Sequence, residues 1–186
     1  MGGEFGQFIE WRDDSGLDWM LLDYDAHRDL QGFVKELNHF YTASKALWQI
    51  EDSWEGFRWI NEHDEANSVL SFLRQGKAKG ERLLVVCNFT PVVRKNYRVG
   101  VPAAGEYEVV LRSDDKRFGG TGKCGKTYMA KREESDGLAH SLLLELPGFT
   151  TLYLRKKTKP KPKGATKNGA AKKPNAGKGI KKGGSA

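Results

Sequence analysis

The feature that most restricts the fold of this chain is a series of short apolar runs that begins near Trp54. Each run is rich in β-branched and aromatic residues, has the length of a single strand, and ends at residues typical of turns. The runs are FRWI, SVLSFLRQ, RLLVVCNFT, YRVGV, EYEVVLRS, HSLLLEL and TTLYLRK, and the separators include RQGKAKGE, PAAGE and LPGF. The pattern predicts an all-β sandwich or barrel of roughly 100 residues, which we place at residues 51–155.

Residues 1–50 carry a different pattern. Within HRDLQGFVKELNHFYTASKAL, the apolar residues repeat at spacings of three and four, which is the period of an amphipathic helix. They are Leu30, Phe33, Val34, Leu37, Phe40, Tyr41 and Leu47. This spacing predicts a helix from about Ala26 to Thr42. The preceding SGLDWMLLDYD is rich in turn residues and then apolar, so the predicted order is a strand end at MGGEFG, a long loop and the helix.

Residues 156–186 form a strongly basic tail. From Arg155 onward the chain has 12 basic and no acidic residues, which leaves 19 basic against 24 acidic residues before it. The net charge of +7 therefore comes from the tail. One isoleucine and no aromatic residue cannot bury enough apolar surface to offset the entropy of ordering, so the tail is predicted to be disordered.

The sequence lacks the features that are typical of secreted, membrane or metal-binding proteins. The chain has neither the features of a signal peptide nor an apolar run of the length that spans a bilayer. Its two cysteines are too few for a disulfide framework. The four histidines, His27, His39, His63 and His140, lack the spacing of a metal site. We therefore expect a cytoplasmic protein with no membrane partner, no metal and no cofactor.

Several segments together resemble the C-terminal end of glycogen branching enzymes, the 1,4-α-glucan branching enzymes of the α-amylase superfamily. The segments are MGGEFGQ followed by EW, SGLDWMLL, EGFRWI with SVLSFLR, LLVVCNFTPVVRKNYRVGVP, the glycine pair Gly119 and Gly120, and HSLLLELPGFTTLYL. They cover most of the chain from Met1 to about Leu154, in family order, and NFTPV followed by YRVGVP is the most specific part.

The resemblance implies a domain organisation. Residues 1–50 would be a remnant of the catalytic (β/α)8 barrel, comprising the end of its eighth strand, the following loop and the eighth helix. Residues 51–155 would be the C-terminal all-β domain, and residues 156–186 lie beyond the match. Met1 would then be an internal methionine of a longer enzyme, and this chain a C-terminal fragment whose missing N-terminal part is a possible partner.

The resemblance also implies the chemistry of the whole enzyme. A branching enzyme cleaves an α-1,4 linkage, retains the chain as a glycosyl-enzyme and transfers it to a 6-hydroxyl. Retention requires two carboxyl groups about 5 Å apart. By resemblance these groups precede Met1, so the chain is expected to have no catalytic residue and no activity in isolation. Loops after barrel strands line the active face. Substrate contacts of the α-glucan are therefore predicted at Glu4, Gln7, Trp11 and Trp19.

Residues 120–127, GTGKCGKT, match the P-loop pattern G-x-x-x-x-G-K-[ST] at every position. In a P-loop, Lys126 would reach the phosphates and Thr127 would ligate magnesium. The pattern requires a buried strand before it and a helix after it, whereas here the polar SDDKRFG precedes it and the mostly polar YMAKREESDGLAHS follows. We therefore interpret the segment as a glycine-rich loop.

Two alternative functions remain open. The chain could be a stand-alone glucan-binding module that uses aromatic residues such as Trp54, Trp59 and Tyr97 to stack on sugar rings. It could instead bind nucleic acid through the tail, where eleven lysines lie between Lys156 and Lys182 and could release counterions from phosphates.

Overall fold

The computed structural model describes residues 1–9 and 12–158. Its helices are α1 (Asp25–Ala43) and the short α2 (Lys45–Trp48). Its strands are β1 (Phe57–Asp64), β2 (Val69–Gln75), β3 (Arg82–Asn88), β4 (Arg94–Val101), β5 (Gly105–Arg112), β6 (Thr127–Ala130), β7 (His140–Leu146) and β8 (Thr151–Lys156). Among these residues, no helix is long and apolar enough to cross a membrane.

The strands form two antiparallel sheets that share one core. Six strands are ordered β1-β2-β3-β8-β5-β6, and β4 pairs with β7 in a separate two-stranded sheet. The inward residues of both sheets belong to one buried cluster, in which Leu84 and Leu154 of the large sheet join Val99 and Leu142 of the small one. This is the packing of a β-sandwich, and the predicted all-β domain is confirmed at this level.

Strand β3 is buried on both faces. All four residues from Leu83 to Val86 are buried, because the inner face packs in the sandwich while α2 and part of α1 cover the outer face. There Ala46, Leu83 and Val85 form a second cluster. This double burial explains why the sequence of β3 is continuously apolar instead of alternating. Residues 44–48 therefore lie directly on the sheet, although the predicted boundary at residue 50 separates them from the β domain.

The sequence pattern located the regular elements that are long enough to show a period. All seven apolar runs lie in strands, and the helix predicted over 26–42 is α1. The pattern missed β6 and α2, each of which has four residues. An element of this length contains about one helical turn or two strand periods, so composition cannot distinguish it from a loop.

The strand end predicted at MGGEFG is wrong for this structure. Gly3–Phe5 form a 3-10 turn, and the flanking Gly2 and Gly6 have φ angles of 78° and 72°. A strand needs a hydrogen-bonded neighbour, and these two left-handed glycines bend the backbone away from extension. The assignment of residues 1–50 to a barrel stays a prediction.

The predicted tail begins slightly too early. Lys156 is the last residue of β8, and the Lys157 amide donates to the Glu106 carbonyl at 2.8 Å. The pairing with β5 therefore extends into the segment predicted to be disordered. Residues 159–186, with most of the tail's lysines, lie outside the described residues.

Candidate functional site

The N-terminal turn is held against the start of α1. The buried side chain of Phe5 stacks on Trp19 with ring centroids 5.3 Å apart. The Nδ1 atom of His27 lies 2.7 Å from the Phe5 carbonyl oxygen, so this nitrogen donates to the carbonyl. The Asp18 amide donates to Gln7 Oε1 at 3.1 Å. These contacts join residues 2–9, the following loop and the first turn of α1 into one substructure.

The structure brings three of the four predicted substrate-contact residues into this substructure. Trp19 is 60% exposed while one of its ring faces rests on Phe5, a geometry that leaves the indole accessible for stacking. Gln7 is partly buried and uses its carbonyl oxygen to hold Asp18. Glu4 is exposed beside them, and Trp11 lies outside the described residues. A role for these four in substrate contact stays a prediction.

Other exposed aromatic residues, which the sequence pattern did not identify, lie in the same place. Phe8 is 79% exposed and meets the His27 ring edge-on at 5.3 Å, and Tyr24 meets the same ring at 6.3 Å. We call the exposed side chains Phe8, Ile9, Trp19, Met20 and Tyr24 the N-terminal apolar patch. These residues follow no helical or strand period, so no sequence signal grouped them. Soluble proteins rarely leave such a patch uncovered without a partner.

Asp14, near the turn, does not have the features of a general acid. Asp14 accepts two hydrogen bonds from Arg12, the shorter at 2.7 Å. The Arg12 hydrogen bond lowers the pKa of Asp14, whereas a general acid of a retaining glycosidase needs a raised pKa. In the part of the chain that the structure describes, no group of three or more His, Cys, Asp or Glu residues is placed to hold a metal ion.

The P-loop-like segment surrounds an internal carboxylate. Asp114 accepts from the Thr121 amide at 2.7 Å, from the Thr121 hydroxyl at 2.7 Å and from the Lys123 amide at 3.3 Å. The Thr121 and Lys123 amides therefore donate to an internal carboxylate and are not free to bind a phosphate. The segment leads into strand β6 and not into a helix. The geometry is that of a loop folded around Asp114.

A second aromatic surface lies on the β domain. Trp54 is 90% exposed and Trp59 is 44% exposed. Phe57 supports this surface, because its ring meets Trp59 edge-on at 4.9 Å and stacks on Phe72 at 5.3 Å. We call Trp54, Phe57 and Trp59 the β1 aromatic surface. It includes two of the three residues that the glucan-binding alternative singled out.

The third of those residues, Tyr97, has a structural role. Its hydroxyl donates to Asp64 Oδ2 at 2.6 Å, and its ring packs against the sandwich core. Burial and the Asp64 carboxylate raise the pKa of the Tyr97 hydroxyl. The side chain therefore links β4 to the end of β1 and is not a free stacking platform.

Comparison with known proteins identifies a matching family and several similar proteins. A family model described as "Alpha amylase, C-terminal all-beta domain" matches residues 59–157. The chain is 45% identical over 156 residues to the 1,4-alpha-glucan branching enzyme GlgB of Halothermothrix orenii, covering 83% of this chain and 25% of the relative. It is 47% identical over 158 residues to the GlgB of Aquifex aeolicus, with the same coverage.

The matching region is the C-terminal part of these relatives, so the chain spans about a quarter of their length. Among solved structures, the crystal structure of alpha-amylase from H. orenii covers 80% of this chain at 18% identity, with a TM-score of 0.46. A similarity of that size supports no argument about function.

Proposed function

The chain belongs to the family of alpha-amylase C-terminal all-β domains, and from this premise we propose that it serves as the C-terminal part of a 1,4-α-glucan branching enzyme. The carrying observation is the identity of 41–47% to branching enzymes over about 83% of the chain. The match also includes residues before 59, so it extends beyond the β domain to the helical segment. We propose that both segments work together in one enzyme.

In this proposal the chain supplies scaffold and substrate contacts, not the reacting groups. Retaining transfer needs a nucleophilic carboxylate and a carboxylic acid on opposite sides of the scissile bond. These groups would come from the part of the relatives that this chain does not match. The substrate would be an α-glucan such as glycogen or amylose, and Glu4, Gln7, Trp11 and Trp19 would contact it beside the catalytic carboxyl groups.

The partner of the chain in the proposal is that remaining part of the enzyme. Two features support this proposal. Helix α1 has no buried residue along its length, and its apolar side chains Leu30 and Tyr41 are exposed. The N-terminal apolar patch adjoins the start of the same helix through His27. Covering apolar side chains such as these by another domain would stabilise the complex.

A domain exchange tests the proposed function. The C-terminal quarter of the H. orenii branching enzyme is replaced with this chain, and branching of amylose is followed by the loss of iodine staining. We expect the chimera to branch amylose, whereas this chain alone and the relative without its C-terminal quarter do not. A Leu152→Asp chimera is the control, because it introduces a charge at a fully buried position. A chimera that folds and still has only the activity of the shortened relative would contradict the proposal.

The same chimera tests the predicted substrate contacts. Trp19→Ala removes an exposed indole, so we expect a higher KM for amylose with an unchanged melting temperature. Phe89→Ala, at an aromatic residue of the β domain that is 58% exposed, is a matched control from outside the barrel segment. Equal kinetic parameters for Trp19→Ala and the parent chimera would remove Trp19 from the set.

The second candidate, a stand-alone glucan-binding module, is favoured by the exposure of Trp54. An indole that is 90% exposed contributes little to folding, and exposed aromatic rings are suitable for stacking on sugars. Affinity electrophoresis in gels with and without glycogen measures this binding directly. If the function is glucan binding through the β1 aromatic surface, Trp54→Ala abolishes the retardation of the isolated chain while Tyr24→Ala does not. A chain that glycogen does not retard would exclude this candidate.

A further inference from the structure

A large cavity lies at one end of the sandwich. Its volume is about 890 Å³, within the range of roughly 300–1,000 Å³ typical of ligand pockets. The cavity exists because a sheet of six strands faces a sheet of only two. Strand β4 ends at Val101, and beyond it the loop of Pro102, Ala103 and Ala104 forms part of the cavity wall.

The floor of this cavity is aliphatic. At its base, Leu73, Leu84 and Leu154 form one row across β2, β3 and β8. They are only 7%, 1% and 0% exposed, so most of the accessible apolar surface belongs to other lining residues. Met129 of β6 and the loop alanines complete the wall. The one aromatic residue here, Tyr107, is buried and uses its hydroxyl to donate to the Ala103 carbonyl at 2.9 Å. The wall therefore offers neither an exposed stacking platform nor free hydroxyls for a sugar.

The rim of the cavity is cationic. Arg82 lies two residues from Leu84 in β3, and Lys156 lies two residues from Leu154 in β8, so each is on the same face of its strand as the leucine. Lys79 also lines the rim. In residues 1–9 and 12–158, no carboxylate lies within ion-pair distance of these three cations. Arg82 donates through Nε to Gln75 Oε1 at 2.8 Å, which holds the guanidinium while its remaining N–H groups stay available.

The backbone also accommodates this arrangement. Gly105 has a φ of 125°, and a Cβ at this position would lie 2.9 Å from Cε of Lys156. The absence of a side chain at residue 105 lets the lysine stem lie across the cavity edge. Lys157, in contrast, pairs with Glu106 at 2.9 Å. The rim therefore retains an excess of positive charge above an apolar floor.

From this geometry we propose that the end cavity binds an anionic amphiphile, of the class of medium-chain aliphatic carboxylates. The hydrocarbon chain lies against Met129 and the loop of Pro102, Ala103 and Ala104, and the carboxylate lies at Arg82 and Lys156. Each part of the ligand meets a surface of matching chemistry, because apolar burial drives binding and charge-assisted hydrogen bonds orient the head group. No residue of the N-terminal apolar patch lines this site. A smaller adjoining pocket, lined by Trp54 and Phe57, shares Arg82 with it.

Isothermal titration of the full chain with decanoate, decanol and octanoate, below their micellar concentrations, tests the proposal. We expect one decanoate site per chain. Decanol lacks the charge and should bind roughly tenfold more weakly. Octanoate is two methylenes shorter and should also bind about tenfold more weakly. A maltooligosaccharide should not compete with decanoate.

Variants assign the binding to this cavity. The double variant R82Q and K156Q should lose about tenfold in decanoate affinity and leave decanol affinity unchanged. Met129→Glu adds a negative charge to the rim at an exposed position and should also weaken decanoate binding, whereas Met129→Leu should not. Lys131→Gln, at an exposed lysine without an ion pair, is the matched control. No binding of decanoate, or binding that the rim variants leave unchanged, would overturn the proposal.

Discussion

Replacing Asn88 with alanine should destabilise the β domain far more than the loss of one exposed side chain. Asn88 is 2% exposed at the end of β3. Its side-chain nitrogen donates to the Pro147 carbonyl at 2.8 Å and to the Val92 carbonyl at 2.9 Å. Its oxygen accepts from the amide and the hydroxyl of Thr90, at 3.1 and 2.9 Å. One amide group thus joins three chain segments.

The size of the expected loss in the free energy of unfolding depends on which hydrogen-bond partners of Asn88 water can reach. The Pro147 carbonyl is in a buried bond, so leaving it unpaired costs about 1 to 3 kcal/mol. Val92 is exposed and Thr90 is partly exposed, so water replaces much of their loss, and we assign them about 1 kcal/mol together. We expect the free energy of unfolding of Asn88→Ala to fall by about 3 kcal/mol in urea denaturation, with an unchanged m-value.

Asn67→Ala is the matched control, because the Asn67 side chain donates only to the nearby Asp64 carboxylate; its expected effect is below about 1 kcal/mol. Asn88→Asp keeps the acceptor for Thr90 but places a carboxylate against two carbonyl oxygens, which raises the carboxyl pKa in the folded state. Its destabilisation should therefore decrease as the pH falls through that pKa, because the protonated group can donate again. A loss of less than 1 kcal/mol for Asn88→Ala would refute the role assigned to the amide.

Three further predictions concern helix α1, a glycine and the thiols. Amides of Asp25–Ala43 should exchange with solvent at least about tenfold faster than those of the central strands, because the helix has no buried residue; equal protection in hydrogen exchange would contradict this. Gly148→Ala should lower stability by about 2 kcal/mol in thermal denaturation, because its Cβ would lie 2.4 Å from the Pro91 carbonyl oxygen. Gly137→Ala is the comparison: its Cβ would meet no atom, so only the strain of a φ of 67° opposes the substitution. Burial raises the pKa of both the Cys87 and Cys124 thiols, so the native chain should react with Ellman's reagent at pH 8 much more slowly than the unfolded chain; fast labelling of both thiols in the native chain would show that they are accessible.

The segments that carried the family resemblance turn out to contact each other. NFTPV begins at Asn88 and LPGF ends at Phe149, and the two segments are far apart in the sequence. The Phe149 amide donates to the Thr90 carbonyl at 2.8 Å, and Gly148 approaches Pro91 so closely that no side chain fits. A sequence pattern can identify Asn88 as a residue at a strand end. Only the fold shows that its partner is Pro147.

The candidate sites were predictable to very different degrees. Trp19 and Gln7 were found through the resemblance, and the structure places them in one substructure. Phe8 and Tyr24 were not found, because exposed aromatic residues in a loop follow no period. The end cavity had no sequence signal at all. Leu73 and Leu84 are core residues, 7% and 1% exposed, and only the fold shows that a cavity bounded by the loop after β4 lies beside them.

The apolar stripe of α1 shows what a periodic pattern can and cannot establish. Its spacing predicts a helix but not the surface on which the helix packs. In the structure Phe33 meets Phe118 edge-on at 5.3 Å and Phe40 meets Tyr153 at the same distance, so two residues seven positions apart attach one edge of the stripe to the β domain. Leu30 and Tyr41 lie on the other edge and stay exposed. That open edge begins near the N-terminal apolar patch, because His27 of the first turn contacts Phe8 and Tyr24. A helix attached along one edge only is therefore the natural place for a further domain to pack, and its own marginal burial is the reason that we expect it to open first.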